Sequence, residues 1–285
     1  MRRAAAFLAY ALSLAACGRA PLEADPAIWH VTGARGEEAW LFGTIHAAPQ
    51  PIAWQTAKVR DALDRAGEVM VEVANIADEA AVAQAFTALS RTPGLPPVED
   101  RVPPERRAAL QSQLAQRGFR AGDLRDMETW AVALTLARPA SADQSRNGID
   151  RAVLAAAKGK PVVELEGATR QLSIFDRLPE TEQRDLLNAV LADAGTMDDD
   201  ADLAATWRTG DMRRIEAETR TGLLADPELR QALFSDRNLR WSARIIAEMH
   251  AGRRPFVAVG AAHMAGPDGL VALLRQAGYH TDRVE

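Results

Sequence analysis

The sequence predicts an α/β fold, with a central mixed sheet, packed helices and large helical insertions. Short apolar stretches with strand character are separated by longer segments of helical periodicity, which is typical of helices packed on a sheet. The stretches 75–147 and 167–254 contain almost no strand signal, and they predict the insertions. The chain has 285 residues, of which 47% are hydrophobic, so it can bury a sizeable core without disulfides.

The individual elements follow from local patterns. Two strands joined by a glycine-containing turn form a predicted hairpin, which leads into Gly43-Thr44-Ile45-His46. The predicted strands are 28–32, 39–42, 68–73, 160–166 and 255–260. The predicted helices are 56–66, 79–90, 105–117, 127–137, 149–158, 180–192 and 228–251.

The amino terminus has the pattern of an export signal. Arg2 and Arg3 precede a run of 13 mostly apolar residues, which is shorter than the roughly 20 residues that a membrane-spanning helix needs. The following Leu14-Ala15-Ala16-Cys17 resembles the lipobox of bacterial lipoproteins, in which the cysteine is acylated after cleavage. An ordinary secretory signal with a chance cysteine is the alternative.

These features divide the chain into three parts. We predict a signal peptide at 1–16, a tether at 17–27 that needs no helix or strand, and one α/β domain at 28–285. A lipid on Cys17 would hold the protein at the membrane, on the periplasmic side of the outer membrane.

The charge balance disfavours a nucleic-acid partner. The chain has 34 basic and 39 acidic residues, which leave a net charge of −5, and it has no long run of one sign. Binding to a phosphate backbone depends on an excess of Lys and Arg. Small molecules, peptides or proteins are therefore the expected partners.

Two of the five histidines occur in matching surroundings. An apolar strand runs into Gly43 and another into Gly260, and His46 and His263 follow three residues after these glycines. We expect the glycines to adopt a backbone conformation that other residues resist, which places both imidazoles at an end of the sheet. Ligands commonly bind at that end in α/β proteins. A shared site is one interpretation, and two unrelated surface histidines are the other.

Carboxylates accompany the predicted strands. Glu72 interrupts an apolar strand, while Glu164 and Glu166 flank Leu165 at the end of another. A carboxylate in apolar surroundings needs a cation or a cleft, although each glutamate alone could also be an exposed strand residue. Two imidazoles with one or two carboxylates form a ligand set that suits a divalent manganese, cobalt or zinc ion.

Together the motifs resemble the TraB/PrgY/GumN family. The resemblance extends from about residue 29 to residue 284, and the two Gly-x-x-His motifs in this order are its most specific feature. It rests on Gly43-Thr44-Ile45-His46, Val71-Glu72, Gly148-Ile149-Asp150, Leu165-Glu166, Arg237-Asn238, the stretch 256–263 and Gln276-Ala277-Gly278-Tyr279.

The resemblance implies a function, because this family is related to the Tiki proteases and, more distantly, to the erythromycin esterase and ChaN group. It implies a metal-dependent hydrolase that acts on peptides or proteins. Matched by position, it implies His46, Glu72 and His263 as metal ligands, with Glu166 a weaker fourth. Glu72 or Glu166 would be either the third ligand or the general base, and the sequence does not divide those roles.

Arg237 and Asn238 match the family's Arg-Asn pair, which implies that they bind substrate. A guanidinium at a hydrolytic centre can also stabilise an oxyanion, whereas a helix-surface ion pair is the alternative for Arg237. Asp150 stands at a predicted helix start, so we expect a structural role for it. The remaining histidines match no family motif.

Two other functions stay open. TraB/PrgY relatives are associated with blocking pheromone signalling, and GumN is named from a polysaccharide locus. A non-catalytic protein that sequesters a peptide or a glycan is therefore the main alternative. The distant similarity to ChaN also allows a haem or iron binder.

Overall fold

The computed structural model describes residues 20–76, 78–138, 142–157, 159–193 and 199–284. The predicted signal peptide and Cys17 lie outside the described residues. The strands are β1 (Leu22–Glu23), β2 (Ile28–Thr32), β3 (Glu38–Thr44), β4 (Ile52–Ala53), β5 (Glu68–Val71), β6 (Val162–Glu164), β7 (Pro255–Gly260) and β8 (His280–Arg283).

The α-helices are α1 (Ala57–Arg65), α2 (Glu79–Leu89), α3 (Arg107–Gln116), α4 (Thr129–Leu136), α5 (Ala142–Arg146), α6 (Ile149–Ala156), α7 (Ala168–Asp176), α8 (Glu180–Asp193), α9 (Asp199–Arg208), α10 (Met212–Glu218), α11 (Pro227–Arg230), α12 (Asp236–His250) and α13 (Leu270–Gln276). Short 3₁₀ turns include Ala121–Leu124 and Ala261–Met264. The predicted helix 228–251 is interrupted by a π-helical turn at Gln231–Ser235, which separates α11 from α12.

Six strands form one mixed sheet in the order β6-β5-β7-β3-β2-β8. The strands β6, β5, β7 and β3 are parallel, while β2 is antiparallel to both β3 and β8. This topology confirms the predicted α/β class with a central mixed sheet. It also confirms the predicted hairpin, because β2 pairs with β3 over five residue pairs.

The register aligns the carboxyl ends of the central parallel strands. Thr44 of β3 pairs with Gly260 of β7, and Val71 of β5 pairs with Ala258 of β7. The segments that follow these strands therefore leave the sheet at one edge, where α/β folds commonly place ligands.

Helices cover both faces of this sheet. Phe42 and Phe256 pack on one face with residues of α1 and α6. Leu41 and Val257 pack on the other face with residues of α12 and α13. Successive strand residues point to opposite faces, so these nearly continuous apolar strands are buried on both sides.

The helical insertions are confirmed. In the described parts of 75–147 and 167–254 the sheet gains no strand. The insertions have an apolar core of their own, in which Leu110 of α3, Trp130 of α4 and Leu187 of α8 are buried. Within the described residues, no helix is both long enough and apolar enough to cross a bilayer.

The segment before β2 differs from the expected tether. Leu22–Glu23 form the short strand β1, which pairs in parallel with β4. The Arg208 guanidinium donates to the carbonyl of Glu23 at 2.5 Å, and the N–H of Asp25 donates to the carbonyl of Arg208 at 2.7 Å. These contacts attach the chain to the domain from Leu22 onward, so the expectation of no strand in 17–27 was wrong.

The expected role of the two motif glycines was also wrong. The φ of Gly43 is not positive, and the φ of Gly260 is −46°, which any residue can adopt. Glycine is needed at position 43 for steric reasons, since a Cβ there would lie 2.8 Å from the Cα of Ala261. The glycine lets the 3₁₀ turn Ala261–Met264 approach β3.

We therefore expect Gly43→Ala to destabilise the fold by about 1–3 kcal/mol, because backbone must move to accept the methyl group. The matched control is Gly122→Ala, where an added Cβ meets nothing within 4 Å and φ is not positive. Urea unfolding of both variants would measure the effect. Equal stability of the two variants would contradict this explanation of Gly43.

Candidate functional site

His46 lies two residues beyond β3 and pairs with Asp150 near the start of α6. The His46 Nδ1 and the Asp150 Oδ2 are 2.8 Å apart. The two segments are joined by the N–H of Ile149, which donates to the carbonyl of Ile45 at 2.8 Å. A Cβ at Gly148 would overlap the backbone oxygen of His46, so glycine permits this close approach.

The Asp150 carboxylate determines the charge of His46. The hydrogen bond that His46 donates to Asp150 raises the pKa of His46 to about 9, and the charges of Asp150 and Glu72 act in the same direction. The imidazole is therefore a cation at neutral pH. The His46 side chain is 67% exposed, and its Nδ1 contact with Asp150 leaves Nε2 available.

Glu72 directly follows β5 and receives three hydrogen bonds. Its Oε1 accepts from the N–H of Gly260 at 2.8 Å. Its Oε2 accepts from Arg237 Nη2 at 2.6 Å and from Gln171 Nε2 at 3.0 Å. Burial alone would raise the pKa of Glu72, but Arg237, the nearby histidines and the N–H of Gly260 together outweigh burial, and the pKa falls to about 2. The carboxylate is ionised.

Arg237 of α12 binds a second carboxylate, that of Glu166. Its Nε lies 3.1 Å from both oxygens of Glu166, and its Nη2 lies 2.9 Å from Oε2. The guanidinium also stacks over the Trp241 ring at 4.5 Å and donates to the carbonyl of Leu233 at 3.2 Å. Burial would lower the pKa of Arg237, but the charges of Glu72 and Glu166 raise it. Two strand ends are thus tied to one helix.

His263, in the 3₁₀ turn after β7, is enclosed by aromatic rings. Phe234 stacks on it with ring centroids 5.1 Å apart, and the Trp241 ring lies 4.6 Å away. Burial lowers the pKa of His263 to about 3. The two motif histidines therefore have different charges at neutral pH, since His46 is a cation and His263 is neutral.

The hydrogen bonds of Asn238 define the tautomer of His263. Asn238 Nδ2 donates to the carbonyl of Asp268 at 2.8 Å, so its Oδ1 is the acceptor that faces His263 Nδ1 at 2.7 Å. His263 thus donates from Nδ1 and carries its lone pair on Nε2. That lone pair faces Arg237 Nη1 at 3.4 Å.

A small pocket of about 30 Å³ opens at this sheet edge. His46, Asp150, Glu72 and Gln171 contribute its polar lining, together with Thr44. The volume suits about one water molecule beside polar partners. Glu166, Arg237 and His263 lie behind Glu72 and are not part of the lining.

The structure assigns different positions to the predicted residues. It brings His46 and Glu72 into one pocket, and it places His263 and Glu166 against Arg237, behind Glu72. Arg237 and Asn238 are buried and make hydrogen bonds with the other members of the site. Their contacts favour a role in positioning these groups over direct contact with substrate.

Two pocket residues were missed from the sequence. Asp150 was given a structural role at a helix start, although its motif Gly148-Ile149-Asp150 was a signal for more. Gln171 had no signal, because α7 was not among the predicted helices and only the tertiary fold brings it to Glu72.

The arrangement does not fit a divalent metal held by His46, Glu72 and His263. The Nε2 of His263 faces the Arg237 guanidinium, and the same guanidinium is bound to Glu72. A second cation beside it would be repelled. The metal stays a prediction from the sequence.

Among the described residues, one group of three carboxylates has oxygens within 4.8 Å of one another, namely Glu182, Asp185 and Asp226. Glu182 and Asp226 are partly exposed, and Asp226 already caps α11 through the N–H of Leu229. Such surface acidic groups are common without an ion, so we assign no site to them.

Comparison with known proteins gives a family match. A family model described as the TraB/PrgY/gumN family matches residues 27–283. The chain is 27% identical over 253 residues to the uncharacterized protein YbaP of Escherichia coli K12 and to that of Shigella flexneri, covering 82% of this chain and 87% of each relative. No solved structure gives a significant match.

The His46–Asp150 pair can be tested by titration. We expect Asp150→Asn to lower the pKa of His46 from about 9 toward the ordinary histidine value of about 6.5, because the charged partner is lost. NMR titration of the His46 ring would measure this shift. His263 serves as the internal control, since burial keeps it neutral in both proteins. An unchanged His46 titration would show that Asp150 does not set its charge.

Proposed function

Since the chain belongs to the TraB/PrgY/gumN family, we propose that it is a hydrolase that cleaves peptide bonds in the pocket of His46, Asp150 and Glu72. One observation carries the proposal: an imidazole hydrogen-bonded to a carboxylate at 2.8 Å shares a water-sized pocket with a second carboxylate. A base oriented by a third group is a recurring arrangement in hydrolytic sites.

In the proposed reaction, neutral His46 is the general base. Its Nε2 accepts a proton from a water molecule, and the oxygen of that water attacks the substrate carbonyl carbon. Asp150 stabilises the imidazolium that forms, which then returns the proton to the leaving amine. The raised pKa makes His46 a stronger proton acceptor, although it reduces the neutral fraction at neutral pH.

Glu72 supports this reaction through its charge. With a pKa of about 2, Glu72 is a weak proton acceptor, and Glu166 does not line the pocket, so His46 replaces both as the proposed base. The negative charge of Glu72 favours the protonated form of His46. Arg237 binds both Glu72 and Glu166, and it keeps the Glu72 carboxylate in position.

Gln171 is a donor for the developing oxyanion. One of its two Nε2 protons is used for the hydrogen bond to Glu72. The second proton is available to a substrate oxygen, because a side-chain amide has two donor protons. A donor already fixed by Glu72 needs little reorganisation during the reaction.

The experiment compares cleavage of a diverse peptide library by wild type and variants, read by mass spectrometry. His46→Ala and Asp150→Asn should each lower turnover by about a hundredfold or more, because positioned proton transfer contributes this much. His280→Ala is the matched control, since His280 lies on β8 and is 73% exposed. Parallel reactions with a chelator, manganese, cobalt or zinc test the metal predicted from the resemblance.

Two outcomes would refute the proposal. If wild type cuts no peptide under any metal condition but still retains peptides or glycans, the sequestering function replaces hydrolysis. If His46→Ala cuts as fast as His280→Ala, the reaction takes place elsewhere.

The proposal includes a lipid anchor at Cys17, which would place the pocket on the periplasmic side of the outer membrane. It is supported by the lipobox-like sequence Leu14-Ala15-Ala16-Cys17. We expect Cys17→Ser to abolish processing and lipid labelling, because serine lacks the sulfur that is acylated. Ser13→Ala is the control. Normal labelling and membrane fractionation of Cys17→Ser would contradict the anchor.

A further inference from the structure

A polar groove of about 650 Å³ lies beside the pocket. It is lined by one face of α7, by residues of α2 and by the segment that follows β6. We call it the α7 groove, and its polar lining includes Asn75, Glu164, Glu166, Arg170, Ser173 and Arg177.

Two arginines of the α7 groove have no ion-pair partner among the described residues. Arg170 and Arg177 are seven residues apart, so they lie on the same side of the chain about two helical turns apart, and both are exposed. Their guanidinium groups make no hydrogen bond or ion pair with any described residue. They also border a recess with Glu182, Glu228 and Asp236, none of which is within ion-pair distance of them.

The carboxylates of the groove are already satisfied. Glu166 is bound by Arg237 through both oxygens, and its side chain is 2% exposed. Glu164 accepts the N–H of Ala74 at 2.7 Å. Arg170 and Arg177 are the cations of this groove that lack a counter-ion in the described structure, and an anionic ligand would supply one.

The groove and the candidate catalytic pocket are both lined by residues of α7. Gln171, adjacent to Arg170, lines the pocket and binds Glu72. Glu166 lines the groove and shares Arg237 with Glu72. Adjacent residues of one helix therefore line the groove and the pocket.

We infer that the α7 groove binds a carboxylate of the substrate through Arg170 and Arg177 and thereby selects acidic peptides. The inference that this carboxylate belongs to a peptide rests on the proposed function. Two sources have the same chemistry, namely an Asp or Glu side chain and a free carboxyl terminus. Arginine recognises both through paired N–H donors.

The test measures binding and not cleavage, so it stands apart from the proposed hydrolysis. Four pools of fluorescent peptides are compared, with randomised flanks around one fixed Glu or Gln and with a free or amidated carboxyl terminus. All proteins carry His46→Ala, so that no pool is cut, and fluorescence anisotropy gives the affinity. The pool that binds best identifies the source of the carboxylate.

We expect a pool with the preferred carboxylate to bind about three- to tenfold more tightly than its neutral counterpart, as one or two exposed charge pairs would give. Arg170→Ala with Arg177→Ala should remove this preference, whereas Arg170→Lys with Arg177→Lys should keep part of it. The control is Arg213→Ala with Arg253→Ala, which removes two exposed arginines outside the groove.

Three results would overturn the inference. The first is that the protein with Arg170 and Arg177 intact binds acidic and neutral pools equally. The second is that it binds no pool. The third is that the protein with Arg170→Ala and Arg177→Ala keeps the preference for the acidic pool. The preference could depend on Arg170 and Arg177 while the library experiment shows no cleavage. That result would support the binding site in the α7 groove and refute the proposed hydrolysis.

Discussion

The ion network centred on Arg237 is the interaction on which the site depends. Its guanidinium is buried, and it binds Glu72 after β5 and Glu166 after β6. Each of these buried charges would be costly alone, because an ion removed from water must be paired. The network therefore fixes α12 against the sheet edge and keeps the Glu72 carboxylate ionised.

The two similar motifs place their histidines in different environments, with His263 against this network and His46 against Asp150. His263 is enclosed by aromatic rings and faces Arg237, so burial and a nearby positive charge keep it neutral. His46 is exposed and contacts a carboxylate, so it is charged. Opposed environments of this kind commonly separate the roles of titratable groups in an active site. In the proposed function, His46 transfers protons and His263 is structural.

The sequence predicted which residues lie at the site's edge of the sheet, but not the contacts that they make there. Apolar strands that end in Gly-x-x-His or in a carboxylate predict that these polar residues follow neighbouring strands. The strand register confirms that β3, β5 and β7 are neighbours whose ends are aligned. Asp150 and Gln171 could not be assigned in this way, because helices separated by long sequence distances bring them to the pocket. The role of Gly43 depends on the approach of Ala261, which no local pattern contains.

A double-mutant cycle on Glu166 and Arg237 tests the central claim most directly. Arg237→Met should cost about 3–5 kcal/mol of unfolding free energy, since it leaves the buried carboxylates of Glu72 and Glu166 without this partner. Glu166→Gln should cost less, because Arg237 keeps its ion pair with Glu72. The double variant should cost less than the sum by about 1–3 kcal/mol. The exposed pair of Glu180 and Arg184 is the control, with an expected coupling of about 0.3–0.5 kcal/mol. Additive effects of Glu166→Gln and Arg237→Met would contradict the account.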